Sequence, residues 1–209
     1  MPNLLNGRGD RRRGLRLGES LDSILFANLI FASLLLYWSV LAYCRAFGVE
    51  NADLKVHFRP WFDHILTSGF HALAGEYSNY TPPWLYLLYL SSFLPDSFSN
   101  VELIKLPSIG LNLISAVFVY LIVRQLGRGV SWALFAGSGF LLLPTVVLNS
   151  AYWGQSDVIY CSFLLAFTLA SLERRPVLAV LCFGLAFAFK LQAIFLGPFL
   201  LYLVLHKEI

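Results

Sequence analysis

Residues 47–81 read FGVENADLKVHFRPWFDHILTSGFHALAGEYSNYT, the one long run in this chain that does not belong in hydrocarbon. Nearly everything after it is apolar. Of 209 residues, 58% are hydrophobic and 13% charged. A soluble domain carries about 25% charged residues, so this chain lacks the polar surface of one. Apolar runs of about 17–25 residues make the fold class all-α, a polytopic transmembrane helical bundle. A transmembrane β-barrel would alternate apolar and polar residues in segments of about ten. The stretches FLLLPTVVL (140–148) and CSFLLAFTLA (161–170) do not alternate.

The net charge of +3 is informative by position. Arg8, Arg11, Arg12, Arg13 and Arg16 crowd residues 1–20. A spanning run follows directly, so the tail is read as a cytoplasmic anchor rather than a nucleic-acid arm. The Arg8-Gly9-Asp10 tripeptide then lies on the cytoplasmic side and is read as chance. The run from Leu21 to Cys44 is too long for a signal-peptide core and is expected to stay as a helix. Ser20 is the expected cap, with Asp22 in the first turn. Cys44, Cys161 and Cys182 form no CxxC pair and are read as packing residues.

Charge also decides which runs cross. Pro82 to Leu94 is only about 20 Å long as a helix, against a core of about 30 Å. If it lies in the outer interface instead of crossing, the crossings are Leu103–Val123, Val130–Leu148, Val158–Leu172, Pro176–Phe189 and Pro198–Leu205. That arrangement puts ten of the fifteen Lys and Arg inside: the five of the tail, Arg124, Arg128, Arg174, Arg175 and Lys207. The alternative leaves Arg124, Arg128, Arg174 and Arg175 outside and Asp96 in the cytoplasm. The expectation is therefore about six spans. The outer loop runs from about 47 to 100 and carries two juxtamembrane helices. One opens at Pro60 and presents the stripe Trp61, Phe62, Ile65, Leu66 and Leu73 to the membrane. The other opens at Pro82-Pro83 and carries Trp84, Tyr86 and Tyr89 at the interface.

This topology sends polar groups to one face: Asp53, Lys55, Arg59, Asp63 and Glu76 from the loop, Tyr77-Ser-Asn-Tyr-Thr81 at its end, Tyr152-Trp-Gly-Gln-Ser-Asp157, and Lys190-Leu-Gln192. Taken alone, Asp157 suits a helix N-terminus and Lys190 suits snorkelling. Together with Gln155 and Gln192 they point to a polar cavity. His57, His64 and His71 recur every seven residues, about 10 Å apart along a helix. That is too far for one ion held by bonds of about 2 Å, so they are read as a polar face and no metal ligands are assigned. Asn79-Tyr80-Thr81 is a glycosylation sequon followed by Pro82.

Taken in order, Asp53 with Arg59-Pro-Trp61, Asn79-Tyr-Thr-Pro-Pro-Trp-Leu-Tyr-Leu-Leu88, Ile104-Lys-Leu-Pro-Ser108, Trp153-Gly-Gln-Ser-Asp157 and Phe189-Lys-Leu-Gln192 with Pro198 resemble a known set. The set is the GT-C superfamily of integral membrane glycosyltransferases, which use sugars carried on polyprenyl phosphates. The likeness is to mannosyltransferases related to the enzyme that adds the second mannose of GPI anchors, and to their bacterial relatives. It runs from the first span onward, making residues 21–209 a GT-C-like transmembrane module behind the 1–20 tail.

The resemblance implies roles. Asp53 falls on the catalytic aspartate and Asp157 on a second polar position facing the same cavity; these are the catalytic candidates. Asp63 is a rival base, read as the polar face of its helix. Arg59, Tyr80, Gln155, Lys190 and Gln192 are the substrate-binding candidates, with Lys190 and Gln192 near the carrier phosphate. The implied reaction moves a mannose-like hexose from a polyprenyl-phosphate donor to a glycan, lipid or protein acceptor outside the cytoplasm. No nucleic acid is involved. No cofactor is assigned, and a divalent metal stays open. The setting is a multi-pass protein of a bacterial inner membrane, or of the endoplasmic reticulum in a eukaryote, with its N-terminus in the cytoplasm. Family members run on through further spans, so the chain is also read as a fragment, a split subunit or a truncated product. The alternatives are a non-catalytic subunit packed on a partner enzyme and a small transporter.

Overall fold

A computed structural model describes the backbone of residues 7–95 and 97–206, and side chains from Ser23 onward apart from those gaps. The side chains of the basic tail, of Ser20 and of Asp22, and the whole of Asp96 and Lys207, lie outside the described residues. Helices and turns make up the described chain, and no strand occurs among the described residues. The first helix, α1, runs Gly7–Phe47. It passes straight through Ser20, so the expected cap there is not a helix start. Ser20 has helix-forming residues on both sides, and Ser tolerates a helix interior at only a modest cost in propensity.

After α1 the chain enters a second helical run. Asn51 is its cap: its Oδ1 accepts from the Leu54 N–H at 3.0 Å, which satisfies one of the unpaired amides of a first turn. A π turn over Leu54–Phe58 leads into α2, Arg59–Ser68. Pro60 stands in the first turn of α2, but the helical run began before it. Gly69, at φ 58, ends α2, and a 3-10 turn over Gly69–Ala74 follows. The helix α3, Pro82–Ser91, opens on its two prolines as expected.

The stripe on α2 does not do what its periodicity suggested. Phe62 and Ile65 are wholly buried, while Leu66 is exposed. Phe62 and Ile65 join Leu54, Phe58, Trp84, Leu88, Ile104 and Ile159 in the main core. That core sits beneath the loop, because α2 packs on α3 and α4. The same i, i+3 spacing serves a bilayer or a neighbouring helix, and here the neighbours take most of it.

The helix α4, Asn100–Gln125, begins with a capping box in which Ser99 and Glu102 bond each other's backbone. The run expected as one crossing from Val130 to Leu148 is broken. It forms α5, Val130–Leu142, then α6, Pro144–Val147, and a π turn Leu148–Tyr152, with a bend of 52° between the two parts. Pro144 is the cause: it has no N–H to continue the ladder, and its ring clashes with the preceding turn. Next come α7, Asp157–Leu172, and α8, Pro176–Phe189, followed by a 3-10 turn Leu191–Leu196 and α9, Gly197–Leu205.

Helices pack in the order α1, α5, α4, α7, α8, so α4 stands in the middle. Ser23–Phe47 and Asn100–Gln125 are long and apolar enough to cross a membrane, and the bent pair makes a third if counted as one. The helices after residue 157 are apolar but have 17 residues or fewer. Length therefore supports two or three of the six expected crossings. A straight crossing takes about 20 residues.

At the α4–α5 contact the backbones nearly touch. A Cβ on Gly137 would stand 2.9 Å from the Ala116 carbonyl oxygen, whereas one on Gly184 in α8 would meet nothing within 4 Å. Small residues permit such approaches between apolar helices. Gly137→Ala is expected to lower stability by about 1–3 kcal/mol through overpacking. Gly184→Ala should raise stability by about 0.5–1 kcal/mol through helix propensity. Thermal unfolding of the two variants in detergent checks the opposite signs.

Candidate functional site

The site is built where α1 ends. Its last carbonyls would be unpaired, and a buried cation takes them. Lys105, fully buried in the second turn of α4, donates to the carbonyls of Ala46 at 2.8 Å, Phe47 at 3.0 Å and Val49 at 2.6 Å. A turn further on, Ser108 donates to the Gln155 carbonyl at 2.7 Å. Asn51 Nδ2 donates to the Tyr152 carbonyl at 2.6 Å. The loop after α1 and the turn before α7 are thereby tied to each other and to one rigid helix.

That turn requires a glycine. Gly154 has φ 68, and a Cβ there would lie 3.1 Å from Lys105 Cγ and 3.2 Å from Leu54 Cδ2. A side chain would have to displace both posts of the site.

The acidic candidates differ in their partners. Asp53 sits in the first turn of the run that Asn51 caps. Its Oδ2 accepts from Gln155 Nε2 at 3.4 Å, and its Oδ1 has no hydrogen bond among the described residues. Asp157, at the start of α7, is fully engaged. One oxygen pairs with Lys190 Nζ, and the other accepts from Asn149 Nδ2 at 2.9 Å. Lys190 follows the last residue of α8. Thr81 holds that junction by donating to the Phe189 carbonyl at 2.8 Å.

Between these parts lies an open cavity of about 550 Å³. Asn79, Tyr80, Ser156, Lys190 and Gln192 are its polar lining residues, and Leu191, Ile194 and Phe195 are among its apolar ones. Phe195 is 84% exposed, so it faces outward. Ser156 is buried, and its hydroxyl has no hydrogen-bond partner within ordinary distance among the described residues. It still acts on the phenol beside it. Burial raises the Tyr80 phenol above its usual value, the Ser156 hydroxyl opposes that shift, and the Asp53 charge adds to it. Asp53 is therefore near enough to Tyr80 for its charge to act on the phenol, although it is not among the residues that line the cavity.

Of the residues singled out in the sequence, Tyr80, Lys190 and Gln192 line the cavity, Asp157 reaches it through Lys190, and Gln155 spends its side chain on Asp53. Arg59 is elsewhere. It pairs with Glu50 at 3.0 Å on an exposed surface and is not part of the cavity lining. The rival base Asp63 accepts from Asn100 Nδ2 at 3.0 Å and ties α2 to the start of α4. His57 and His64 pack against the rings of Trp61 and Tyr77.

Sequence reasoning did not single out roles for Asn51, Lys105, Ser108, Asn149 and Ser156. Lys105 carried a legible signal, an amine in an otherwise apolar run. The serines and asparagines carried none, because capping and packing use the same residue types.

The apolar helices carry a polar cavity, and the comparison with known families says what kind of protein this is. The chain belongs to glycosyltransferase family 87, whose family model matches residues 77–208. It is a membrane glycosyltransferase. The match takes in the segments that carry Tyr80, Lys105, Asp157 and Lys190 and begins after Asp53. No curated protein and no solved structure matches the chain.

Lys105→Met would take the donor from the carbonyls of Phe47 and Val49 and leave that of Ala46 only the Val49 N–H. Charge-assisted hydrogen bonds contribute about 1.5–3 kcal/mol each, and an unpaired buried carbonyl costs about 1–3 kcal/mol. The expected result is a lowered unfolding midpoint and faster limited proteolysis at residues 47–58, with no change at the turn between α7 and α8. Gly154→Ala should give the same protease pattern.

Proposed function

We infer that this protein moves a mannose-like hexose from a polyprenyl-phosphate donor to a hydroxyl of an acceptor outside the cytoplasm, with Asp53 as the base. One observation carries the reading. A single cavity is lined by a cation and hydrogen-bonding groups together with apolar residues, of which Phe195 faces outward. That mixed lining suits an amphiphile with a charged head and a hydrocarbon tail.

The chemistry follows from the placement. In an inverting displacement the acceptor oxygen bonds to the sugar C1 as the bond from C1 to the phosphate oxygen breaks. The acceptor proton goes to Asp53, and the polyprenyl phosphate leaves with the electron pair. Phosphate is a good leaving group, so the protein's work is proton removal and charge stabilisation. Asp53 suits the first task better than Asp157, since one of its oxygens is unengaged and both of Asp157's are taken. Gln155 fixes the Asp53 carboxylate by its other oxygen. Lys190 suits the second task. Asp157 and Asn149 hold it at the cavity wall until a phosphate competes for it. Ser156 and Gln192 offer polar groups beside it, and Tyr80 offers a ring and a phenol for the sugar.

The accompanying topology is multi-pass, with the basic tail in the cytoplasm and residues 47–100 on the opposite face. A bacterial inner membrane, or the endoplasmic reticulum in a eukaryote, provides such a donor. The acceptor is a glycan, lipid or protein that presents a hydroxyl at that face.

Transfer of labelled sugar from polyprenyl phosphate in proteoliposomes tests the proposal. Asp53→Asn should lower kcat by about 10²–10⁴, the scale of general-base catalysis, with donor KM little changed. Lys190→Ala should act mainly on donor KM. Undiminished turnover by Asp53→Asn would remove Asp53 as the base, and absence of transfer from every polyprenyl-phosphate sugar would remove the donor class.

A further inference from the structure

A second amphiphilic groove lies away from this cavity, on the face of α1 beside the end of α5. Trp38, Leu41, Ala42 and Arg45 line it from α1 and Leu142 from α5, and it encloses about 460 Å³. None of these residues lines the cavity of Lys190. The groove lies beside the end of α5 at Leu142, just before the chain turns by 52° at Pro144.

Its two ends differ in chemistry. Trp38 and Arg45 are seven residues apart, about 10 Å along a helix axis. Trp38 and its neighbours are apolar. Arg45 stands two residues before the end of the apolar span Ser23–Phe47, where the chain leaves hydrocarbon. Cations near a helix C-terminus ordinarily serve the terminal carbonyls. Here Lys105 already holds those of Ala46 and Phe47. Arg45 has no hydrogen bond or ion pair among the described residues, and its side chain is exposed. An exposed guanidinium with no protein partner, at the end of an apolar groove, offers a planar fork of N–H donors that suits two oxygens of one anionic group.

The geometry points to an anionic phospholipid of the bilayer as the occupant, its phosphate on Arg45 and one acyl chain along Trp38, Leu41 and Ala42. Charge complementarity selects it over a zwitterionic lipid. The depth of Arg45 sets the headgroup where the span ends, which a buried protein partner would not require. The lipid fills the groove beside the end of α5 and steadies the end of α1, which Lys105 holds from the other side.

Native mass spectrometry of the full chain released from mixed micelles of phosphatidylglycerol, phosphatidylcholine and polyprenyl phosphate tests this. Phosphatidylglycerol should remain bound in preference to phosphatidylcholine, and polyprenyl phosphate, proposed for the cavity of Lys190, should be retained alike by the parent and both groove variants. Arg45→Gln should reduce phosphatidylglycerol retention about tenfold, the scale of one charge-assisted hydrogen-bonded contact. Ala42→Trp, which fills the groove without touching the cation, should abolish it. Asp53→Asn is the control and should retain lipid as the parent does, whatever its effect on sugar transfer. Both groove variants are checked for an unchanged helical spectrum and a single elution peak; Ala42→Trp keeps the test open if Arg45→Gln fails to fold. Equal retention of phosphatidylcholine, retention of phosphatidylglycerol unaffected by both variants, loss of polyprenyl phosphate retention on Arg45→Gln, or a dimer lost on Ala42→Trp would each overturn the assignment.

Discussion

One amine holds this site together. Lys105 is a charge buried among apolar side chains, a placement that costs several kcal/mol unless every proton finds an acceptor. All three do, in the carbonyls of Ala46, Phe47 and Val49. The exchange serves both sides: it gives the protons of a buried amine their acceptors and the carbonyls at the exit from α1 a donor. It also fixes direction. Because the three acceptors lie on successive parts of the exit from α1, the chain can leave that helix only along one path. That path delivers Asn51 to the start of the next helix and Asp53 to its first turn.

The cavity depends on this because its walls come from segments remote in sequence. Thr81 bonds the end of α8, Gln155 bonds Asp53, and Ser108 bonds the Gln155 backbone. Each link is one hydrogen bond, contributing about 0.5–1.5 kcal/mol. None alone would hold a loop against the flexibility of its neighbours. Anchoring through α4 lets them act together, since one helix supplies both Lys105 and Ser108. The core of Phe62, Trp84, Leu88 and Ile104 lies directly under the loop helices and supplies the burial that hydrogen bonds do not.

The sequence was most readable where one constraint ruled. Pro176–Phe189 has the bounds its apolar run indicated, since proline and lysine mark its ends. The two prolines at 82 and 83 marked α3 in the same way. The broken run after Val130 was misread because its hydropathy is continuous across Pro144, and composition does not register a bend. The stripe on α2 was read correctly as a stripe but given the wrong neighbour, because periodicity says which face is apolar and not what covers it. In the site, the residues with unusual chemistry for their surroundings were legible: Asp157 and Lys190 in greasy flanks. Arg59 was placed by its proximity to a motif, and its nearest acid, Glu50, drew it to the surface instead. Gln155 was expected to meet substrate; its side chain bonds the Asp53 carboxylate and is not among the cavity-lining residues.

The short helices around the cavity bear on the membrane itself. The 16 residues of α7 and the 14 of α8 give about 24 and 21 Å of helix at 1.5 Å per residue. If both cross as proposed, hydrocarbon about 30 Å thick cannot stay flat against them. It would thin locally, or let water reach down beside the ends of the helices. Either response would bring the headgroup level closer to Lys190 than it is elsewhere. The mismatch would then work as a ramp: a lipid-borne phosphate would meet its cation without being lifted out of the leaflet, and the deformed bilayer would share in positioning the substrate.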